Sequence, residues 1–202
     1  MEVRLGPLSE VLRQMNDVSA PQRVAPAIER YGSGAVAFHW TVAALIVFLG
    51  TLGVLFGEIP KEWRPFWINV HGSVGLVYLA LVIGRLVWRA NNRPPDLPPD
   101  IGEFDRRFSL AAHHLLYALM LLIPLFGIVA YVWHGRAFDY GLFRLDFGVA
   151  SARNVFHPAE KIHQWLAYAL FALAALHAAA ALWHHYVRRD GVLMRMLPGG
   201  TG

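Results

Sequence analysis

Two histidines, His163 and His177, stand fourteen residues apart in one strongly apolar segment. On an α-helix fourteen residues are close to four turns, so both imidazoles share a face and lie about 21 Å apart along the axis. An ionisable side chain inside a membrane segment is a functional-site hypothesis by default. Eight further histidines are present, and several sit at matching depths. His71 and His163 form one layer. His39, His113, His114 and His177 form another, with His184 and His185 nearer the surface beyond it. Neutral imidazole is the usual axial ligand of haem iron, and two of them leave no open position, which favours electron transfer. Two layers of histidines drawn from different segments therefore suggest two bis-histidine b-type haems stacked across a membrane. The layers leave open whether His39 or His113 partners His177. The chain has no cysteine, which excludes disulfides, iron–sulfur clusters and covalent haem attachment.

The elements that must position these residues follow from hydropathy. The chain has 202 residues, 56% hydrophobic and 16% charged, less charge than a soluble domain of this size carries. The apolar residues are bunched into four stretches, about 36–56, 67–88, 110–133 and 160–186, each long enough to cross a bilayer. Pro124 falls inside the third, where a membrane helix tolerates it. The expected fold is an all-α integral membrane four-helix bundle with no sizeable soluble domain. In this reading His113 and His114 open the third helix and His163 opens the fourth.

Orientation follows from the flanking cations. Arg4, Arg13, Arg23, Arg30, Arg89, Arg93, Arg106, Arg107, Arg188, Arg189 and Arg195 lie on one side, eleven in all. Lys61, Arg64, Arg136, Arg144, Arg153 and Lys161 lie on the other. The positive-inside rule then places both termini in the cytoplasm. The basic balance reflects this topology and lipid contact, with no reason to invoke nucleic acid. Residues 1–35 lack the apolar core of a cleavable signal peptide. Leu5, Leu8, Leu12 and Met15 are spaced for a short interfacial helix. The Pro-rich stretch from Asn92 to Asp100 reads as a stiff, extended linker.

Small residues share faces with the histidines, as a macrocycle lying against a helix requires. Gly50, Gly53 and Gly57 fall within about 40° of the His39 face. Gly75 lies one turn past His71, and Tyr117, Pro124 and Gly127 share the His113 face. Arg85 lies fourteen residues past His71, on the same face. A membrane-embedded arginine needs an anion or an acceptor, for which a haem propionate or a quinone carbonyl would serve.

The segments Arg30–Trp40 (RYGSGAVAFHW), Asn69–Gly75 (NVHGSVG), Ala112–Gly127 (AHHLLYALMLLIPLFG) and His163–Pro198 resemble the bacterial cytochrome b561 family. The last, with LHAAAALWHHY followed by RRDGVLMRMLP, is the most specific. Within the family it resembles the diheme superoxide:ubiquinone oxidoreductase branch. The resemblance covers residues 30–198 as a diheme cytochrome b domain and leaves residues 1–29 as an N-terminal cytoplasmic extension. It implies a fourth helix that gives one ligand to each haem, with His39 and His177 holding the cytoplasmic-side haem and His71 and His163 the periplasmic-side haem. It leaves His113, His184 and Arg85 as candidates for the quinone end, with His114 and His185 the weaker members of their pairs. The implied reaction takes electrons from periplasmic superoxide through both haems to ubiquinone in the bacterial inner membrane. A histidine titrating near neutrality suits delivery of the two protons a quinol needs.

The loop expected to meet superoxide is only mildly cationic. Arg136, Arg144, Arg153, Lys161, His134 and His157 stand against Asp139, Asp146 and Glu160. Two other readings use the same residues. In the first, the chain is an electron-transfer subunit docking a soluble periplasmic dehydrogenase or hydrogenase. In the second, the histidines bind Zn²⁺ or carry protons. Zn²⁺ sites ordinarily want three or four close protein ligands, and few membrane carboxylates are available to join them.

Overall fold

A computed structural model describes residues 30–95 and 102–199. The proposed interfacial helix at Leu5–Met15 and most of the Pro-rich linker lie outside the described residues. Four long helices dominate: α1 (Ser33–Leu55), α2 (Arg64–Asn91), α3 (Glu103–Trp133) and α4 (Arg153–Trp183). Each is long and apolar enough to cross a membrane. Inside hydrocarbon an unpaired backbone amide or carbonyl costs several kcal/mol, so an apolar run of this length satisfies its backbone internally as a helix.

The helices are longer than the apolar stretches that announce them. α3 begins at Glu103 and α4 at Arg153, each about seven residues before its hydrophobic run. The added turns are polar and suit helix ends: Pro65 sits in the first turn of α2, and Glu103 and Asp105 in the first turn of α3 face the positive end of the helix dipole. As a consequence His113 and His163 lie well inside their helices instead of opening them.

The described chain ends meet at one end of the bundle, here the terminal end. After α4 the helix widens into a single π-helical turn (His184–Arg188) and closes with Arg189 in the left-handed conformation, φ 56°. A short 3₁₀ turn (Leu193–Met196) then packs against the start of α1. The Tyr31 amide donates to the Arg195 carbonyl at 3.2 Å, the Trp40 indole to the Met196 carbonyl at 2.7 Å, and Arg30 to the Leu197 carbonyl at 2.9 Å.

The opposite end carries a two-stranded antiparallel hairpin between α3 and α4, β1 (Phe138–Asp139) and β2 (Arg144–Leu145). Two strands of two residues cannot hold themselves together in water. This hairpin is instead clamped to α2. Asn69 donates from Nδ2 to the Asp139 carbonyl at 2.8 Å, and its Oδ1 accepts from the Asp139 amide at 3.1 Å and the Tyr131 hydroxyl at 2.9 Å. The Tyr140 hydroxyl reaches the Ser73 carbonyl at 3.1 Å, and the Ser73 hydroxyl reaches the Asp139 carbonyl at 3.3 Å. Asn69→Leu removes three hydrogen bonds at once and should destabilise the hairpin by about 1–3 kcal/mol. Faster amide hydrogen exchange over residues 137–145, with exchange in α1 unchanged, is the expected readout.

The packed core lies between the two histidine layers. Val42 and Leu49 of α1, Tyr78 and Val82 of α2, Leu119, Met120 and Ile123 of α3 and Leu170 of α4 form one buried cluster. Lipid tails are as apolar as leucine, so shape complementarity between helices must supply this association. Gly50 illustrates it: a Cβ there would sit 1.7 Å from the Phe171 ring, so the absent side chain is what leaves room on α1 for that ring of α4.

Candidate functional site

Each helix contributes to both ends of the core. Toward the hairpin, His71 of α2 and His163 of α4 face one another with ring centroids 6.0 Å apart and planes at 73°. Toward the terminal end, His39 of α1 and His177 of α4 do the same at 6.4 Å and 65°. His113 of α3 also reaches His177, at 5.3 Å. Two imidazoles bound by nitrogen to opposite sides of one metal ion, at about 2.0–2.1 Å each, hold their centroids about 6.4 Å apart. The His39–His177 and His71–His163 spacings fit that requirement, whereas His113 stands too near His177 to share an ion with it in this way.

The hydrogen bonds sort the ring nitrogens further. His163 donates from Nδ1 to the Ile123 carbonyl at 2.8 Å. That bond fixes the tautomer and leaves Nε2 with a free lone pair, as ligating histidines require. His113 donates from Nδ1 to its own helix, to the Ser109 carbonyl at 2.6 Å. The Nδ1 of His71 is buried with no hydrogen-bond partner; the Leu49 carbonyl faces it without closing a bond. Tyr78, between the layers, likewise buries an unpartnered hydroxyl. Orphaned polar atoms this deep are rare, and His71 Nδ1 belongs to one of the ring pairs, where a polar-edged cofactor would lie.

His39 is held differently. Arg85 donates from one guanidinium nitrogen to His39 Nδ1 at 3.0 Å and from Nε to the Tyr117 hydroxyl at 3.2 Å. An arginine only donates, so His39 Nδ1 accepts here and its Nε2 carries the proton. Were His39 to hold a metal through Nε2 as a neutral imidazole, Arg85 would have to turn to another acceptor. His114 and His185 join none of these pairs.

The glycines expected to cradle a macrocycle divide in two. A Cβ on Gly53 would touch the His71 ring at 3.7 Å, and one on Gly127 would meet the His163 ring at 3.0 Å. Gly57 and Gly75 have nothing within 4 Å of a Cβ. The Gly127 contact gives a test. Gly127→Ala pushes on the ring atoms that make the Ile123 bond, so it should shift the absorption of any haem that His163 holds, as redox difference spectra would show.

At the end of α4, His184 pairs through Nδ1 with an Asp190 carboxylate oxygen, both largely shielded from solvent. Asp190 also accepts from the Val192 amide at 3.2 Å, and Arg188 pairs with Asp105 at the start of α3. Sequence reasoning singled out His184 but missed Asp190. Its only signal is a six-residue separation, and the two side chains meet where the widened last turn ends and the chain reverses at Arg189. At the hairpin end Arg144 pairs with exposed Asp146 at 3.4 Å, and Arg136 lies over the Tyr131 ring at 5.8 Å. Burial draws the Arg136 pKa down from its ordinary value, with Tyr131 and Glu160 opposing, and the group remains a cation. No cluster of three or more His, Asp or Glu side chains able to hold a metal ion occurs among the described residues.

Four membrane-length helices enclosing two cross-helix imidazole pairs define an integral membrane protein built around buried histidines. The chain belongs to the prokaryotic cytochrome b561 family, whose model matches residues 30–199. It is 29% identical over 172 residues to cytochrome b561 homolog 2 of Escherichia coli (strain K12), covering 84% of this chain and 92% of that protein. It is 26% identical over 180 residues to the probable superoxide oxidase CybB of Yersinia pestis, covering 86% and 99%. It is also 28% identical over 172 residues to cytochrome b562 of Cereibacter sphaeroides, covering 80% and 91%. As a member of this family it is a multi-pass protein of the bacterial inner membrane that carries haem b and moves electrons.

Proposed function

We propose that the chain is a superoxide:ubiquinone oxidoreductase with two b-type haems. His71 and His163 hold one haem and His39 and His177 the other, each bound group supplying a one-electron carrier. Two superoxide anions, ubiquinone and two protons give two dioxygen molecules and ubiquinol. The observation that carries this reading is the pair of ring spacings, 6.0 and 6.4 Å, at opposite ends of one core. Similarity to the probable superoxide oxidase of Yersinia pestis favours the donor.

The chain's own residues have distinct tasks. The Ile123 carbonyl holds the His163 Nδ1 proton, so that Nε2 keeps its lone pair. Arg85, once released from His39, is free to hold a haem carboxylate or the quinone carbonyl. His113 and His184 lie at the terminal end, which the excess of arginines assigns to the cytoplasm. There they deliver protons to the reduced quinone. The hairpin end then faces the periplasm, where Arg136, lying over the Tyr131 ring and in no salt bridge among the described residues, is suited to drawing in an anion.

Stopped-flow mixing of the oxidised, haem-loaded protein with superoxide tests the donor. Reduction of the haem band within the mixing experiment is expected. Absence of reduction, together with reduction by a co-purifying soluble dehydrogenase, would move the assignment to a docking subunit.

A further inference from the structure

At the terminal end a cavity of about 520 Å³ opens between the start of α1, the last turns of α2, Tyr117 of α3 and Met196. Its wall includes Arg30, Arg85, Arg89 and Arg93, and among the described residues no carboxylate. Arg85 and Arg89 stand four residues apart on one face of α2, and Arg93 follows in the extended chain just beyond its end. Like charges at this spacing repel and destabilise a helix. Arg85 and Arg89 crowd the same Tyr117 ring, at 5.7 and 5.8 Å. A negative group among these guanidiniums would relieve that repulsion, and a fork of donors suits the oxygens of a phosphate.

We infer that this cavity binds a phosphate-bearing anion, and that in the membrane the anion is the headgroup of an acidic phospholipid. Arg85 belongs to the haem reading above; Arg89, Arg93 and Arg30 form the outer part of the wall, so the inference does not rest on that reading. Three features favour a lipid source. The cavity opens at the end of the membrane-spanning length of α2, where headgroups lie. Basic pockets between membrane helices are suited to acidic headgroups. Trp88 and Tyr31 line the cavity too, and such rings settle at the headgroup level.

The test uses the haem-loaded protein in nanodiscs of phosphatidylcholine containing one tenth phosphatidylglycerol, with retained lipid counted by native mass spectrometry after release into detergent. The wild-type protein should retain phosphatidylglycerol in preference to phosphatidylcholine. The Arg89→Gln/Arg93→Gln variant, its haem spectrum intact, should lose that preference about tenfold. Equal retention of the two lipids by the wild type, or unchanged preference in the variant, overturns the proposal. A shift of haem midpoint potential in the variant with lipid preference unchanged also overturns it, since the arginines then serve haem carboxylates. Inorganic phosphate that binds lipid-free protein and depends on the same arginines, with no lipid preference in nanodiscs, overturns the lipid source.

Discussion

Replacing His177 with alanine should remove one haem and leave the other, halving the haem bound per chain. The remaining centre should still be reducible from the side it faces. The reason is geometric: His177 meets His39 at 6.4 Å, while His71 and His163 face one another at the other end of the core. Haem quantification by pyridine haemochrome against protein mass, with a redox titration of what remains, reads the outcome directly. Loss of both haems, or of neither, contradicts the pairing. His113→Ala separates the remaining choice, because a chain that keeps two haems after losing His113 does not use it as an axial ligand.

The second large effect concerns protons. Asp190→Asn keeps the cap on the Val192 amide but removes the charge that faces His184. Electron delivery to ubiquinone should fall by about 10²-fold, the usual contribution of one well-placed proton donor. Reduction of the haems from the donor side should keep its rate. His184→Gln should give the same split. Slowing of both half-reactions together would mark the dyad as a structural brace of the π-helical turn.

Much of this architecture is legible from hydropathy and spacing. Four apolar runs gave four helices, because a bilayer allows no other use for them. The interval from His163 to His177 placed two imidazoles on one face because α4 is regular between them. The helix ends were harder to read. The first turns of α3 and α4 are polar, continue past the apolar run, and carry no side-chain cap hydrogen bond. The hairpin clamp was not readable at all. Asn69 and Ser73 meet residues some seventy positions away, and nothing local in either segment announces the partner. Glycine faces were half readable: angle put Gly50 and Gly53 near the His39 face, but only packing shows that one receives Phe171 and the other faces His71.

α2 and α4 run in the same direction and carry the same interval. His71 and Arg85 are fourteen residues apart on one, His163 and His177 on the other. The two helices therefore act like the paired scales of a vernier. A slide of either by one residue, about 1.5 Å with a turn of about 100°, would spoil the alignment at both ends together. No small rearrangement can trade a misfit in one layer for a better fit in the other. A one-residue insertion between His163 and His177 would therefore carry its error to whichever end it did not disturb first.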